Sequence, residues 1–197
     1  MDKNKTYILA SGSPRRIEIM RSHGIEPVIH PASIEENIPP EKGMCQTVMF
    51  LALKKAKAVE AEILGEAVFR EGDAPIIIAG DTIVYKDEIM GKPEDREDAY
   101  RMLAKLKNDY HYVVTGCALV EAGMQNTRVF AEITKVFVKD LTEAELNAYL
   151  DTNEPYDKAG AYAIQGIFSK HIDHIEGDYD NVVGFPWSRI EKELELL

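Results

Sequence analysis

Two arginines stand in succession where a helix should begin. Ser11-Gly12-Ser13-Pro14-Arg15-Arg16 follows the short apolar run Tyr7-Ile8-Leu9-Ala10. That order predicts a buried strand, a turn, and a helix with Ser13 as N-cap and Pro14 at its first position. A helix N-terminus exposes unpaired N–H groups and partial positive charge, so its first turn favours Asp or Glu. Arg15 and Arg16 oppose the dipole there unless an anion occupies the turn. With an anion, the dipole, the guanidinium groups and the Ser11 and Ser13 hydroxyls act together, and Gly12 lets the backbone approach. The alternative is a capped helix whose arginines face solvent or pair with Glu18.

Three further groups could take part in such chemistry. Gly80-Asp81-Thr82 interrupts the apolar half-strands Pro75–Ala79 and Thr82–Tyr85. A carboxylate there must be paired, hydrogen-bonded or metal-bound, and could hold Mg²⁺ or activate a water; a turn aspartate in a hairpin is the competing reading. Gly91-Lys92-Pro93 puts a lysine before a helix that Pro93 is expected to start, again suited to phosphate, although taken singly it reads as a solvated lysine. It lacks the upstream glycine and following Ser/Thr of a P-loop. The run from Glu154 to Gly166 is dense in small residues, which implies close backbone approach, with Lys158 and Gln165 as candidate phosphate and base readers. By contrast, His171 and His174 would face opposite ways on a strand and read as edge residues rather than metal ligands. Cys45 and Cys117 have no metal or redox spacing and read as reduced thiols.

Elements able to position these groups alternate along the chain. Helices are expected from Pro14 to about His23, Cys45 to about Leu64, Pro93 to Lys107, after the capping box Thr142-Glu143-Ala144-Glu145, and from about Ser188. Strands are expected at Tyr7–Ala10, Pro27–His30, Ala74–Ala79, Thr82–Tyr85, His111–Glu121 and Arg128–Val138. Interleaving of this kind gives an α/β or mixed α+β class with a mixed sheet and flanking helices. Without repeats or an obvious linker, residues 1–197 read as a single domain. A formal charge of −11 and a pI near 5.0 argue against a general nucleic-acid binder. No apolar run approaches the roughly 20 residues of a membrane helix, and the first residues do not form a signal-peptide core. The expectation is a cytoplasmic protein with no membrane or nucleic-acid partner.

Taken together, Ile8–Arg16, Gly80–Val84, Gly91-Lys92-Pro93, Thr115-Gly116, Glu154–Gly166 and Val182-Val183-Gly184-Phe185-Pro186 resemble the Maf family of nucleotide pyrophosphatases, in order and spacing over nearly the whole chain. The resemblance implies a fold similar to inosine-triphosphate pyrophosphatases, with a long mixed sheet and two lobes around a cleft. It implies hydrolysis of a nucleoside triphosphate to the monophosphate and pyrophosphate. The Asp157–Tyr162 wording is similar to the branch acting on dTTP and UTP, with CTP and modified pyrimidines left open. By the same resemblance Asp81 is the base, Glu36 (or Glu35) and Asp81 hold Mg²⁺ or Mn²⁺, and Ser11, Arg15, Arg16, Lys55 and Lys92 contact phosphate. Lys158 is a further candidate, and Arg15, Thr82 and Gln165 match positions tied to substrate choice. Phe185 and Trp187 stand where leucines are usual, which bears on the wall of the substrate site. A homodimer is the expected assembly. Two rivals remain on the sequence: a non-catalytic nucleotide- or nucleic-acid-binding regulator of septum formation, and a phosphomonoesterase using the same anion site.

Overall fold

Alternating side chains and helical spacing turn into elements much as the patterns require. The structure, a computed structural model, describes residues 5–35, 43–65 and 74–197; Glu36 lies outside them. The strands are β1 (Tyr7–Leu9), β2 (Val28–Ile29), β3 (Ile76–Lys86), β4 (Glu88–Met90), β5 (Tyr110–Glu121), β6 (Thr127–Val138) and β7 (Ile172–Glu176). The helices are α1 (Pro14–Ser22), α2 (Met44–Leu64), α3 (Arg96–Leu106), α4 (Glu143–Leu150), α5 (Tyr179–Val183) and α6 (Trp187–Leu194). Strand order is β2-β1-β3-β5-β6-β7, with β4 paired to β3. β1 pairs in parallel with β2 and β3, whereas β3–β4 and β6–β7 are antiparallel, so the class is mixed α/β, as the interleaving predicts.

Two expectations differ from the structure. Gly80-Asp81 does not break the strand, because β3 runs unbroken through both residues. A glycine is tolerated inside a strand where another group approaches the backbone, and the Arg16 guanidinium supplies that group, 3.3 Å from where a Gly80 Cβ would sit. The second difference is the start of α3. Pro93 does not open it; Asp95 caps it by accepting from the Asp98 N–H at 2.8 Å, and Glu97 and Asp98 fill the first turn. A side-chain cap and first-turn carboxylates outweigh the proline signal.

The chain divides into two compact units. The first comprises Met1–Asp81, Thr115–Glu132 and Gly184–Leu197. Its core sets Ile8, Ala10, Ile77, Ala79, Ala118 and Val120 against Ala52, Ala56 and Val59 of α2. Alternate positions of adjacent strands share one face, and their small side chains let the helix come close. At Gly116 the approach is tightest, since a Cβ would overlap the backbone of Val48 and Met49.

The second unit comprises Thr82–Val114 and Ile133–Val183. Here α3 packs on α4 and on two short 3-10 turns, Pro155–Asp157 and Ala159–Ala161. The capping box at Thr142 forms as expected, with the Glu145 carboxylate accepting from the Thr142 N–H at 2.9 Å. His111 is fully buried and its Nε2 lies 2.7 Å from the Tyr162 hydroxyl. Burial first, and the Lys86 charge second, push the His111 imidazole down to about 3.

Two expected outcomes follow from this packing. Gly116→Ala forces a methyl into the α2 backbone, an overpacking cost of about 2–3 kcal/mol. Urea unfolding measures it, and a loss below about 0.5 kcal/mol would contradict the close approach. His111 stays neutral when folded but takes up a proton when unfolded, below about pH 6.5. Stability therefore falls as pH drops from about 6.5 toward about 3, with a slope up to ~1.4 kcal/mol per pH unit from this group. His111→Gln keeps a polar partner for Tyr162 and removes the titration, so the slope between about pH 6.5 and pH 5 should shrink. An unchanged slope would show that His111 is not buried neutral.

Candidate functional site

In the first unit the strand-turn-helix takes the predicted course. Ser13 has extended backbone (φ −66°, ψ 117°), Pro14 occupies the first turn, and no acidic residue is present there. The Ser13 side chain makes no capping hydrogen bond; instead its N–H donates to Ser11 Oγ at 3.2 Å. Arg15 and Arg16 then part company. Arg15, half-buried, has no hydrogen bond or ion pair among the described residues. Arg16 turns inward: Nη1 donates to the Gly80 carbonyl at 2.7 Å and to Ser11 Oγ at 3.1 Å, and Nε donates to the Gly184 carbonyl at 3.0 Å. One guanidinium thus joins three motifs that are far apart in sequence.

Asp81 follows Gly80 on β3 and is 7% exposed. Its Oδ1 accepts from Lys55 Nζ at 2.7 Å. Both side chains are largely shielded, 14% and 10% exposed, so the pair is screened less than a surface ion pair. Lys55 comes from the middle of α2. One residue earlier Lys54 donates to the Glu35 carbonyl at 2.6 Å, which brings the end of the Pro31–Glu35 segment to the same helix. Ser11, Arg16, Lys55 and Asp81 are thus linked through Arg16, Gly80 and the adjoining Asp81 carboxylate.

The residues of the second unit sit on two tied loops. Lys92 is exposed and, since α3 starts later than expected, does not adjoin that helix's first turn. The neighbouring Gly91 carbonyl accepts from the Gly160 N–H at 3.0 Å, which ties the Lys92 loop to the Lys158–Gln165 loop. Gly160 has φ +68°, and a Cβ there would lie 2.8 Å from Val84, so only glycine fits this turn. Lys158 pairs with its neighbour Asp157. Gln165 is exposed, and Thr82 is half-buried on β3.

Sequence reasoning missed what supports this loop. Tyr162 meets His111 of β5, and Glu154 accepts from the Ile167 and Phe168 N–H groups. Phe185 and Trp187 are buried in the first unit, where His23 stacks on the indole at 4.8 Å. Cys117 is wholly buried, which pushes its thiol up to about 12 and rules out a ready thiolate. His174 stacks on Phe137 and His171 is buried behind it in sequence. Among the described residues no group of three or more His, Cys, Asp or Glu side chains could hold a metal, and no helix is long and apolar enough to cross a membrane.

A HAM1 protein from Coxiella burnetii superposes with a TM-score of 0.41 at 14% identity, covering 68% of this chain and 73% of that one. In sequence, the chain is 42% identical to a dTTP/UTP pyrophosphatase of Acetivibrio thermocellus, over 95% of this chain and 93% of that protein. It is 43% identical to a dTTP/UTP pyrophosphatase of Geobacter sp. (strain M21), over 99% and 97%. A third, from Alkaliphilus oremlandii, is 41% identical over 92% and 91%. The family model described as Maf-like protein matches residues 6–197, and with relatives this similar along almost their whole length, the chain belongs to the Maf family.

Proposed function

We propose that this protein hydrolyses pyrimidine nucleoside triphosphates, dTTP and UTP foremost, to the monophosphate and pyrophosphate. The observation that carries the chemistry is the shielded Asp81 carboxylate held by Lys55, linked through Gly80 and Arg16 to a helix start without a first-turn acid. The substrate names come from the relatives, each a dTTP/UTP pyrophosphatase at 41–43% identity.

In this reading Asp81, held by Lys55, accepts a proton from water as the water oxygen attacks the α-phosphorus. The bond from that phosphorus to the oxygen bridging to the β-phosphate breaks, and pyrophosphate leaves with its electron pair. Arg15, the Ser11 hydroxyl and the α1 N-terminus meet phosphate oxygens, where fixed charge and oriented N–H groups stabilise the developing negative charge. Lys55 has a second use, since its ammonium can serve phosphate as well as Asp81. Arg16 serves as a brace, donating to two carbonyls and to Ser11 Oγ. From the second unit Lys92 and Lys158 are assigned to phosphate, and Thr82 and Gln165, with Arg15, to substrate choice.

The donor chemistry of Asp81 fits a hard divalent cation. Mg²⁺ is usually held by one or two carboxylates and otherwise by substrate phosphates and water, and a single carboxylate oxygen set is what Asp81 offers. Asp81, with Glu36 as second carboxylate, would hold Mg²⁺ or Mn²⁺, which supplies charge neutralisation and a more acidic water. The same reading takes the protein as a cytoplasmic homodimer, checked by sedimentation.

Two measurements test the assignment. Asp81→Asn should lower kcat by roughly 10²–10⁴-fold while nucleotide binding persists, with pyrophosphate as the assayed product. Near-normal pyrophosphate release would sink the role of Asp81, and orthophosphate as the primary product would sink the reaction. Arg15→Lys and Arg16→Lys separate the two arginines. Losing the planar fork at Arg16 should cut kcat by about tenfold or more, with KM within about threefold. At Arg15 the change should raise KM instead, and identical profiles for the two variants would remove the distinction.

A further inference from the structure

The loop that carries Lys158 and Gln165 is pinned at three places. Gly160 N–H donates to the Gly91 carbonyl at one end, and the Tyr162 hydroxyl meets His111 in the middle. At the far end stands Glu154. Its Oε2 accepts from the Ile167 N–H at 2.7 Å, and its Oε1 accepts from the Phe168 N–H at 3.2 Å and from the Tyr149 hydroxyl at 3.0 Å. Burial, reinforced by the Glu154 charge, pushes the Tyr149 phenol well above its ordinary range, so it remains a donor. Beside that carboxylate lies Gly166, where a Cβ would overlap the Glu154 carboxyl atoms. Gly166 N–H also donates to the Ala163 carbonyl at 3.2 Å, which closes the turn that holds Gln165.

We propose that Glu154 is a positioning residue for substrate selection: by gathering three donors against Gly166 it fixes the turn from which Gln165 reaches the nucleobase. The inference rests on the reading that Gln165 meets the base. A carboxylate is required because all three partners are donors, and a carboxylate only accepts. Glutamine in its place would turn an NH₂ group toward at least one of them and leave that contact unmade. Phe168, wholly buried and 4.9 Å from the Tyr149 ring, anchors the same joint from below. Gln165 itself makes none of these contacts, so the joint acts on its backbone.

The test uses the full chain with Mg²⁺, measuring pyrophosphate from dTTP, UTP and CTP for Glu154→Gln, Gln165→Ala and the double variant, with thermal unfolding of each. Glu154→Gln is expected to raise KM for dTTP and UTP by about tenfold, with kcat within about threefold, and to change preference among the three nucleotides. Added to Gln165→Ala it should change KM by less than about twofold, because coupled residues are not additive. A full tenfold effect that persists on Gln165→Ala overturns the inference, as does a lowered Tm with unchanged KM and preference. If Gln165→Ala alone leaves KM and preference unaltered, the reading of Gln165 itself is overturned. Glu154→Asp keeps the charge but shortens its reach, and carries the same comparison should Glu154→Gln fail to fold.

Discussion

Arg16 can donate to the Gly80 carbonyl at 2.7 Å because nothing projects from Gly80 in its way, the guanidinium lying where a side chain would begin. Its Nε reaches the Gly184 carbonyl and its Nη1 also reaches Ser11 Oγ. A planar fork with several fixed donors can satisfy carbonyls from separate segments at once, which an ammonium cannot do in the same geometry. Because Asp81 is the next residue after Gly80, the contact also fixes the strand from which the carboxylate projects. The turn before α1, the middle of β3 and the segment before α6 therefore share one charged side chain. Lys55 then completes the arrangement from α2, across a face whose alanines and Gly116 keep helix and strand close.

The same economy of small residues governs the second unit. Gly160 admits Val84, and Gly166 admits the Glu154 carboxylate. A methyl at either position would displace the loop that carries Lys158 and Gln165. Rigidity here comes from hydrogen bonds at defined points, with exposed side chains left between them. That is a suitable division for binding, since pinned backbone lowers the ordering cost when a ligand arrives.

Much of this was legible in the residues, and the exceptions have a common cause. The α1 start, the Thr142 capping box and the apolar faces of α2 and α3 are local patterns, so they emerged at nearly the right positions. The continuity of β3 was not legible, because Gly80-Asp81 looks like a turn until Arg16 is brought to it from 64 positions earlier. The start of α3 was misplaced where two local signals competed and Asp95 won over Pro93. Residue type singled out Ser11, Arg15, Arg16 and Asp81 as candidates, yet it could not foresee that Arg16 turns to the distant Gly80 and Gly184 carbonyls. Lys55 entered only through the family resemblance, since its contact with Asp81 spans 26 positions. Glu154 was given no role for the same reason: its backbone partners lie 13 and 14 residues on, and nothing in its immediate neighbours marks it as a cap.

Charge balance joins the two halves of the reading. A protein with a formal charge of −11 repels polyphosphate at long range, so binding must come from groups close to the ligand. In the first unit those groups are few. Lys55 already faces Asp81, Arg16 is committed to carbonyls, and Arg15 alone has no partner among the described residues. Arginine and lysine charge of that size falls short of a triphosphate's. In the proposed function, a divalent cation brought in with the nucleotide would supply the remainder, beside the Asp81 carboxylate that would otherwise repel the substrate. On that proposal, the acidity of the chain and the arginines at a helix start answer one electrostatic requirement, a site that would balance in charge once nucleotide and metal are bound together.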